Sequence, residues 1–265
     1  MPELPEVESI KKSIQPKILG KKLIQYEILD KRTSRFNSHY PTNLGALDEI
    51  TRKGKVLILK FRKYSLLFHL GMSGRIEFSN SVSKHTRAYF KFAKIQLNFD
   101  DIRKFGFVKL ISNDCLDNEL NKLGPDALNM DKKLFSLVPQ RGKNSKIAIK
   151  KFLLNQKNIS GIGNIYVNEI LFISKINPKK ITNKLSKEEW DRIYKNTKKV
   201  LKKAIQNNGT TLGDLTYFLP DGNFGQNINN LLVYGQLNCK SCNRKIVKMY
   251  LDQRATYFCK KCQKQ

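Results

Sequence analysis

The amino-acid sequence predicts an α+β protein with a β-rich N-terminal part, a helical C-terminal part and a small cysteine module near its end. Three observations support this class. At 265 residues the chain is longer than one hydrophobic core usually needs, which favours two domains. Short apolar runs in residues 21–112 give way to helical periodicity after residue 130. Two C-x2-C pairs follow the helical part. Strands and helices are therefore expected in separate parts of the chain.

The N-terminal residues predict a helix. Pro5 suits the first helical position, and Glu6 lies near the positive end of the helix dipole. One apolar face follows at helical spacing, marked by Val7, Ile10 and Ile14. This helix explains neither Pro2 nor Glu3, which precede it.

Residues 21–112 are predicted to form the strands of a β-sandwich or a β-barrel. The apolar runs include KVLILKF (55–61), YSLLFHL (64–70) and AYFKFAKIQLNF (88–99). Gly, Asn, Ser and Asp residues separate these runs and favour turns between the strands.

Two segments of the C-terminal part carry helix signals. Ser186 and Glu189 predict a capping box at the start of a helix over residues 186–206. Residues 158–172 are typical of a helix, a glycine turn and a second helix, with Asn164 as the N-cap. A helix N-terminus behind such a turn can bind an anion. The Gly- and Asn-rich residues 210–230 are long enough for a mobile lid or a static loop.

Four of the five cysteines have the spacing of a zinc site. The two C-x2-C pairs, separated by sixteen residues, are Cys239 with Cys242 and Cys259 with Cys262. Two disulfides are the alternative, but we expect an intracellular chain without a secretory signal, where thiols stay reduced. Four thiolates leave no open coordination position, so the one predicted Zn²⁺ is structural. No organic cofactor is predicted. The fifth cysteine, Cys115, is expected to be buried and inert.

The charge of the chain favours a polyanionic partner. Lysine and arginine number 50 against 22 aspartate and glutamate residues, a formal net charge of +28. Nucleic acid is the first expectation. No apolar run approaches the roughly 20 residues needed to span a bilayer, so a soluble protein without a membrane partner is expected.

Five motifs resemble those of the bacterial formamidopyrimidine-DNA glycosylase family, in the family's order and from end to end of the chain. They are PELPEVE (2–8), HLGMSGR (69–75), DDIRKFG (100–106), GIGNIYVNE (161–169) and QRATYFCKKCQ (253–263). The resemblance implies three domains: a catalytic β-sandwich over residues 1–115, a helical DNA-binding domain with a helix-two-turn-helix and a lid over 116–230, and a zinc-finger β-hairpin over 231–265. It also implies a monomer in the bacterial cytoplasm.

The activity implied by the resemblance is that of a bifunctional DNA glycosylase and AP lyase acting on damaged double-stranded DNA. Such an enzyme excises oxidised purines, namely 8-oxoguanine and formamidopyrimidines, through an N-terminal proline Schiff base, and then performs β,δ-elimination at the abasic site. Once Met1 is removed, Pro2 would carry the nucleophilic secondary amine. An α-amino group, with a reference pKa of about 7.7–8, holds more free base at neutral pH than lysine at about 10.4.

The same resemblance implies roles for three further residues of the catalytic site. Glu3 would be the general acid and base, with a solvated terminal carboxylate as the alternative. Glu6 would help to orient the site. Lys55 would contact the phosphate of the target nucleotide and assist at the damaged base.

Six residues match the family's DNA contacts. Base excision requires the nucleotide to leave the duplex, and the family fills the hole with three side chains, here Met72, Arg103 and Phe105. For Met72 and Phe105, core packing is the alternative. The implied phosphate contacts are Asn164, Arg254 and His69. His69 is equally consistent with a structural histidine, and His39 and His85 are expected at the surface.

The sequence departs from the family at three places. Asn155 replaces the usual aspartate before the glycine turn, Gln236 replaces an arginine, and the approach to Cys239 is shorter than usual. In the lid segment, FLPDGNFG (218–225) lacks the aromatic residues that often follow its second glycine in the family. The family's lid contacts to the flipped base are therefore not assigned to residues of this chain. Two alternatives remain open: the sister endonuclease VIII-type glycosylase for oxidised pyrimidines, and a DNA-binding relative without catalytic activity.

Overall fold

A computed structural model describes residues 2–35, 41–213 and 216–264. The chain forms two compact units: Met1–Lys122 with Ile205–Ile228, and Leu123–Ala204 with Asn229–Gln265. Residues 205–228 thus belong to the N-terminal unit. None of the helices in the described ranges is both long and apolar enough to cross a membrane.

Helix α1 (Leu4–Ile18) opens the first unit one residue before the predicted start at Pro5. Glu3 occupies the N-cap position, and the Glu6 carboxylate accepts the backbone N–H of Glu3 at 2.8 Å, as in a capping box. The predicted apolar face is fully buried and packs against two strands of the following sheet. Hydrophobic periodicity therefore places the helix, and the two glutamates define its first turn.

Nine strands follow α1 in the described part of the first unit and form two sheets. They are β1 (Leu23–Ile28), β2 (Ser34–Arg35), β3 (Leu47–Lys53), β4 (Val56–Phe61), β5 (Tyr64–His69), β6 (Gly74–Phe78), β7 (Thr86–Phe92), β8 (Ile95–Asp101) and β9 (Phe107–Ser112). The sheet orders are β1-β7-β8-β6 and β2-β9-β5-β4-β3, antiparallel except for the β2–β9 pair. Apolar side chains from both sheets and α1 share one buried core, so the predicted β-sandwich is confirmed.

Two neighbouring connections cross between the sheets of this sandwich. One joins β5 to β6 through residues 70–73, the Met72 loop, and the other joins β8 to β9 through residues 102–106, the Arg103 loop. The strand register pairs the residues that flank them: His69 with Phe107, and Gly74 with Asp101. The two loops consequently lie side by side at one end of the sandwich.

Short helix α2 (Leu116–Leu120) ends the strand-rich segment, and the second unit is mainly helical, as predicted. Its helices are α3 (Lys132–Phe135), α4 (Leu137–Gly142), α5 (Ile149–Leu154), α6 (Asn164–Ile173) and most of α7 (Lys187–Gln206). The predicted capping box at α7 is confirmed, since Ser186 N–H donates to Glu189 Oε2 at 2.9 Å and Glu189 N–H donates to Ser186 Oγ at 3.3 Å.

The start of α6 differs from the prediction. The N-cap is Gly163, and Asn164 is the first helical residue, so the prediction of Asn164 as the N-cap is wrong. The Asn164 Nδ2 donates to the Ala255 carbonyl oxygen at 3.1 Å. Because this side chain bonds a residue far along the chain, it does not cap its own helix.

The C-terminal hairpin of β10 (Val247–Leu251) and β11 (Arg254–Phe258) is antiparallel and packs against α6. Tyr257 N–H donates to Asn168 Oδ1 at 2.9 Å, which fixes β11 to the helix.

In the first unit, Cys115 is exposed, so the prediction of a buried cysteine is wrong. It lies in a short 3-10 turn between β9 and α2, where no apolar residue is buried.

Candidate active site and metal centre

Three of the predicted catalytic residues lie buried at the start of α1, two of them just before the helix and Glu6 in its first turn. Pro2 is buried, and Glu3 and Glu6 are only 2% and 1% exposed, so Glu3 is not a solvated terminal carboxylate. The Glu6 Oε1 accepts the backbone N–H of Thr210 at 2.8 Å, while its Oε2 accepts that of Glu3. One carboxylate therefore joins the start of the chain to the beginning of the predicted lid.

The predicted lid segment is anchored at both of its ends by residues that the sequence did not single out. Tyr217 donates its hydroxyl to the Asn208 carbonyl oxygen at 2.8 Å. Burial, followed by the negative charge of Glu6, raises the pKa of Tyr217 well above its usual range, so the phenol is neutral. Thr211 Oγ1 donates to the Tyr217 carbonyl oxygen and accepts the Gly225 N–H, each at 2.8 Å. Residues 214–215 of this segment lie outside the described ranges.

Lys55 lies at the same end of the five-stranded sheet as His69. It is 8% exposed and directly precedes β4, whose first residue, Val56, pairs with His69 on β5. Burial, followed by the positive charges of Lys55 and Arg35, lowers the pKa of His69 to about 4. The structure therefore brings a buried ammonium group close to a neutral imidazole.

His69 presents one specific tautomer. Its Nδ1 accepts the backbone N–H of Gly71 at 3.2 Å, and its ring stacks on Phe107 with centroids 5.4 Å apart. Because Nδ1 is an acceptor, the proton of the neutral ring lies on Nε2. His69 thus serves a structural role through Nδ1 and keeps an N–H donor at Nε2.

The three predicted duplex-filling residues lie on the two adjacent loops. Met72 is 40% exposed and Phe105 is 57% exposed, which excludes core packing for both. The Arg103 guanidinium lies over the Phe105 ring, 4.9 Å from its centroid. An apolar side chain, a cation and an aromatic ring are therefore presented to solvent at one end of the sandwich.

In the second unit, one side chain from α5 and one from α6 bond the backbone of Ala255, the hairpin residue that follows Arg254. The buried Lys150 Nζ donates to the Ala255 carbonyl oxygen at 2.8 Å and to Thr256 Oγ1 at 2.7 Å. Asn164 donates to the same carbonyl oxygen. Arg254 itself is exposed, and it borders an open groove of about 480 Å³ between α5 and the hairpin. These bonds fix the backbone that carries the predicted phosphate-binding arginine.

Glu169, the last residue of the glycine-turn motif, also has a role that the sequence analysis missed. Its buried carboxylate accepts three successive backbone N–H groups, those of Leu232, Val233 and Tyr234, at 2.8, 3.0 and 2.8 Å. The single charged residue among the ten residues of α6 was the available signal. Glu169 ties this helix to the segment that leads into the cysteine module, where the chain departs from the family pattern.

Asn155 retains a local hydrogen bond despite departing from the usual aspartate. Its Oδ1 accepts the backbone N–H of Lys157 at 3.0 Å. An amide oxygen can make this contact as well as a carboxylate oxygen. The departure therefore leaves the turn after α5 intact.

The four predicted metal ligands converge. The sulfur atoms of Cys239, Cys242, Cys259 and Cys262 all lie within 4.8 Å of one another. The Cys239–Cys262 and Cys242–Cys259 separations of 3.8 and 3.5 Å are far longer than a disulfide bond, so the disulfide alternative is excluded. The cluster can hold a metal ion.

Comparison with known proteins identifies related chains. The family model for the formamidopyrimidine-DNA glycosylase N-terminal domain matches residues 1–108, and that for its H2TH domain matches residues 123–215. The formamidopyrimidine-DNA glycosylase of Listeria monocytogenes serovar 1/2a is 35% identical, over 100% of both chains.

Solved structures of Lactococcus lactis Fpg are similar over the whole chain. The complex of a point mutant of that enzyme with Fapy-dG-containing DNA has a TM-score of 0.90 and 32% identity, covering 100% of both chains. The complex of Lactococcus lactis Fpg with abasic-site-containing DNA has a TM-score of 0.88 and 32% identity, covering 99% of this chain and 100% of that one. Since domain models of one family account for most of the residues and a relative at 35% identity aligns from end to end, the chain belongs to the formamidopyrimidine-DNA glycosylase family.

Proposed function

We propose that this DNA glycosylase is bifunctional: it excises oxidised purines from damaged duplex DNA and then cleaves the abasic site as a lyase. The observation that carries the proposal is the buried Pro2–Glu3 pair at the start of α1, held by Glu6. The related Lactococcus lactis enzyme binds DNA containing Fapy-dG, a purine-derived lesion, and DNA containing an abasic site. Both ligands correspond to steps of the proposed reaction.

Pro2 supplies the nucleophile in this mechanism, which requires a mature chain that begins at Pro2. Its secondary amine attacks C1′, and the bond from C1′ to the damaged base breaks as the new C–N bond forms. Opening of the sugar ring gives a cationic iminium, and this cation acidifies the C2′ proton. Loss of that proton expels the 3′ phosphate, and a second elimination expels the 5′ phosphate. Water then hydrolyses the C1′–N bond, which releases the sugar remnant and restores the Pro2 amine. No oxidant or organic cofactor is needed.

Glu3 moves the protons that these steps require. It is adjacent to the nucleophile in sequence, and its burial keeps the carboxyl group away from bulk water, where proton transfer to the sugar oxygen would compete with solvent. Glu6 acts by positioning, because its two oxygens hold the backbone N–H groups of Glu3 and Thr210. The catalytic turn is thereby rigid before DNA binds.

Lys55 and His69 provide contacts to the phosphate of the target nucleotide in this proposal. The Lys55 ammonium group carries the charge, and the His69 Nε2–H donates a hydrogen bond from a neutral ring. Arg254 and the α6 N-terminus at Asn164 bind further phosphates. Because Lys150 and Asn164 hold the Ala255 carbonyl oxygen, the backbone beside Arg254 is fixed in advance.

Met72, Arg103 and Phe105 fill the space that the extruded nucleotide leaves. The exposed Met72 side chain replaces the stacking surface of the extruded base. The Arg103 guanidinium pairs with the orphaned base, and the Phe105 ring inserts beside that base. The stacking of Arg103 on Phe105 favours joint entry of these two side chains.

The metal held by the four cysteines is a single structural Zn²⁺ in this proposal. Four ligands at a Zn–S distance of about 2.3 Å form a tetrahedron with edges of about 3.8 Å, and the observed sulfur separations of 3.8 and 3.5 Å fit it. The ion would stabilise the fold of a hairpin whose small apolar cluster is completed by Phe172 and Ile173 of α6. Reduced thiolates also fit an enzyme of the bacterial cytoplasm.

Borohydride trapping tests the proposed nucleophile. The protein with a free Pro2 amine should form a stable covalent adduct with an 8-oxoguanine duplex, and a matched form that retains Met1 should form none, because its Pro2 nitrogen is an amide. Mass spectrometry of the intact chain verifies both N-termini. Trapping by the Met1-retaining form would show that another amine, with Lys55 as the next candidate, is the nucleophile.

A substrate panel separates the oxidised-purine activity from the endonuclease VIII-type alternative. Matched duplexes should contain 8-oxoguanine, a formamidopyrimidine or an oxidised pyrimidine at the same position. We expect faster single-turnover excision of the two purine lesions. A preference for the pyrimidine lesion would overturn the assigned substrate class, and absence of excision from every duplex would favour a non-enzymatic relative.

A further inference from the structure

We propose that Asp101 is a positioning residue that joins the Met72 loop and the Arg103 loop into one rigid platform, so that the three duplex-filling side chains enter DNA together. The inference deepens the proposed function, on which it rests. Asp101 is the last residue of β8 and is fully buried. Its role follows from three independent features: strand register, hydrogen bonding and backbone packing.

The strand register sets the two loops next to each other. Each loop crosses from one sheet to the other, and the pairs His69–Phe107 and Gly74–Asp101 hold both of their ends. The register alone leaves the tips of the loops free to move apart. A further connection is required if the exposed side chains are to keep a constant spacing.

The Asp101 carboxylate makes that connection. Its Oδ1 accepts the Ser73 hydroxyl at 2.6 Å and the Arg103 backbone N–H at 3.2 Å. Its Oδ2 accepts the Gly106 backbone N–H at 2.7 Å. Ser73 Oγ in turn accepts the Arg103 N–H at 3.0 Å. One buried carboxylate therefore bonds the residue after Met72 and both ends of the Arg103 loop.

Close backbone contact between the loops completes the platform. Gly71 has a φ of +57°, and a Cβ atom there would lie 2.5 Å from the Gly106 nitrogen and 2.6 Å from the Phe105 carbonyl carbon. A Cβ atom at Gly106 would lie 2.7 Å from the His69 carbonyl oxygen. Glycines from two separate motifs are thus needed at one place, because the two backbones touch there.

Rigidity of this platform matters because the hole in the duplex must be filled by three side chains in a fixed relation. A displacement of about 1 Å in a positioned group can reduce a rate by about 100-fold. Asp101 does not contact DNA, since it is fully buried beneath the loops. It acts through the placement of Met72, Arg103 and Phe105.

The substitution Asp101→Asn tests the platform with almost no change in size. The asparagine amide has one acceptor oxygen. Its NH₂ group would face N–H or O–H donors whose hydrogen bonds the carboxylate accepts in the wild-type protein, so at least one of these bonds is lost. Ser73→Ala is a milder second variant that removes only the hydroxyl link between the loops. Asp100→Asn is the matched control, because Asp100 is also a buried carboxylate in the same motif, and its described hydrogen bond is to Ser83 rather than to either loop.

The kinetic readout compares two substrates. Excision of 8-oxoguanine from a duplex requires the hole to be filled, whereas trapping on an abasic site in single-stranded DNA does not. We expect Asp101→Asn to lower the duplex rate by about 100-fold and to leave single-strand trapping close to the wild-type rate. Ser73→Ala should show the same pattern more weakly, and Asp100→Asn should resemble wild type.

A double-mutant cycle with Met72→Ala measures the coupling between Asp101 and Met72 in the duplex excision rate. A general loss of stability would produce no such coupling. If Asp101 acts through the loops, its effect on the duplex rate should be much smaller once Met72 is absent. Equal losses on both substrates, additive effects, or a wild-type duplex rate for Asp101→Asn would overturn the proposal. If Asp101→Asn fails to fold, the same criteria apply to Ser73→Ala.

Hydrogen exchange provides a test that needs no catalytic activity. The Arg103 and Gly106 amides should be protected in the wild-type protein and exchange faster in Asp101→Asn and Ser73→Ala. Unchanged exchange of both amides would contradict the platform. Failure of the wild-type protein to trap on the abasic strand would instead count against the proposed function, so the two failures are distinguishable.

Discussion

The stability of the N-terminal unit should depend on pH through His69. Burial, followed by the positive charges of Lys55 and Arg35, lowers the pKa of this histidine from 6.5 to about 4. The ring also accepts the Gly71 N–H through Nδ1 and stacks on Phe107. The folded protein therefore holds a neutral imidazole, whereas the unfolded chain binds a proton near pH 6.5.

The sign and size of the effect follow from proton linkage. The unfolded state binds more protons between about pH 6.5 and pH 4, so the free energy of unfolding falls as the pH falls through this window and is fully retained above it. A lowering from 6.5 to about 4 corresponds to a loss of about 3 kcal/mol at 1.36 kcal/mol per pKa unit. About 2 kcal/mol of this should be lost by pH 5.

Urea unfolding at pH 7 and pH 5 measures this loss, with His69→Gln as the comparison. Glutamine can accept the Gly71 N–H but does not titrate, so the wild-type protein should lose about 2 kcal/mol more than the variant between the two pH values. Arg35→Gln removes one of the charges that lower the His69 pKa and should shrink the difference. Parallel losses in wild type and His69→Gln would refute a neutral, partly buried His69.

Three further predictions concern the metal, the phosphate contacts and catalysis. Chelation of the metal, or Cys239→Ser, should abolish binding to lesion duplex while circular dichroism shows that the β-sandwich stays folded; retained binding would contradict it. Arg254→Ala should reduce the slope of log affinity against log salt by about 0.9, and an unchanged slope would mean that Arg254 contacts no phosphate. Glu3→Gln should bind lesion duplex as tightly as wild type but excise about 100 to 10,000 times more slowly in single-turnover assays. Wild-type excision would remove Glu3 from the mechanism.

Features that depend on neighbouring residues were predictable from the sequence. The apolar runs of residues 21–112 became two sheets, and the Ser186–Glu189 pair became the capping box of α7. The two C-x2-C pairs became one cluster of four sulfur atoms. For the strands and the capping box, the signal and its structural consequence lie within a few residues of each other. For the cysteines, the spacing matches the fixed coordination geometry of a metal site.

The wrong predictions concern side chains with distant partners. Asn164 has the ideal residue type for an N-cap, but its amide bonds the Ala255 carbonyl oxygen on the hairpin, and Gly163 takes the cap position. Cys115 belongs to a residue type that is usually buried, yet it lies in an exposed turn. The preference of a residue type for a cap or for the core is therefore only a tendency, and contacts with residues far along the chain decide the conformation and burial of the individual side chain.

The sequence by itself determined the α+β class, the family, and the residue types of the proposed catalytic turn and of the four-cysteine cluster, because these reside in short motifs and local periodicity. Only the tertiary structure decided which motifs act together. Asp101 joins the Met72 loop to the Arg103 loop, and Glu6 joins the start of α1 to Thr210. The physical reason is strand register and packing: they bring residues far apart in the chain within hydrogen-bonding distance, and no local pattern records that distance.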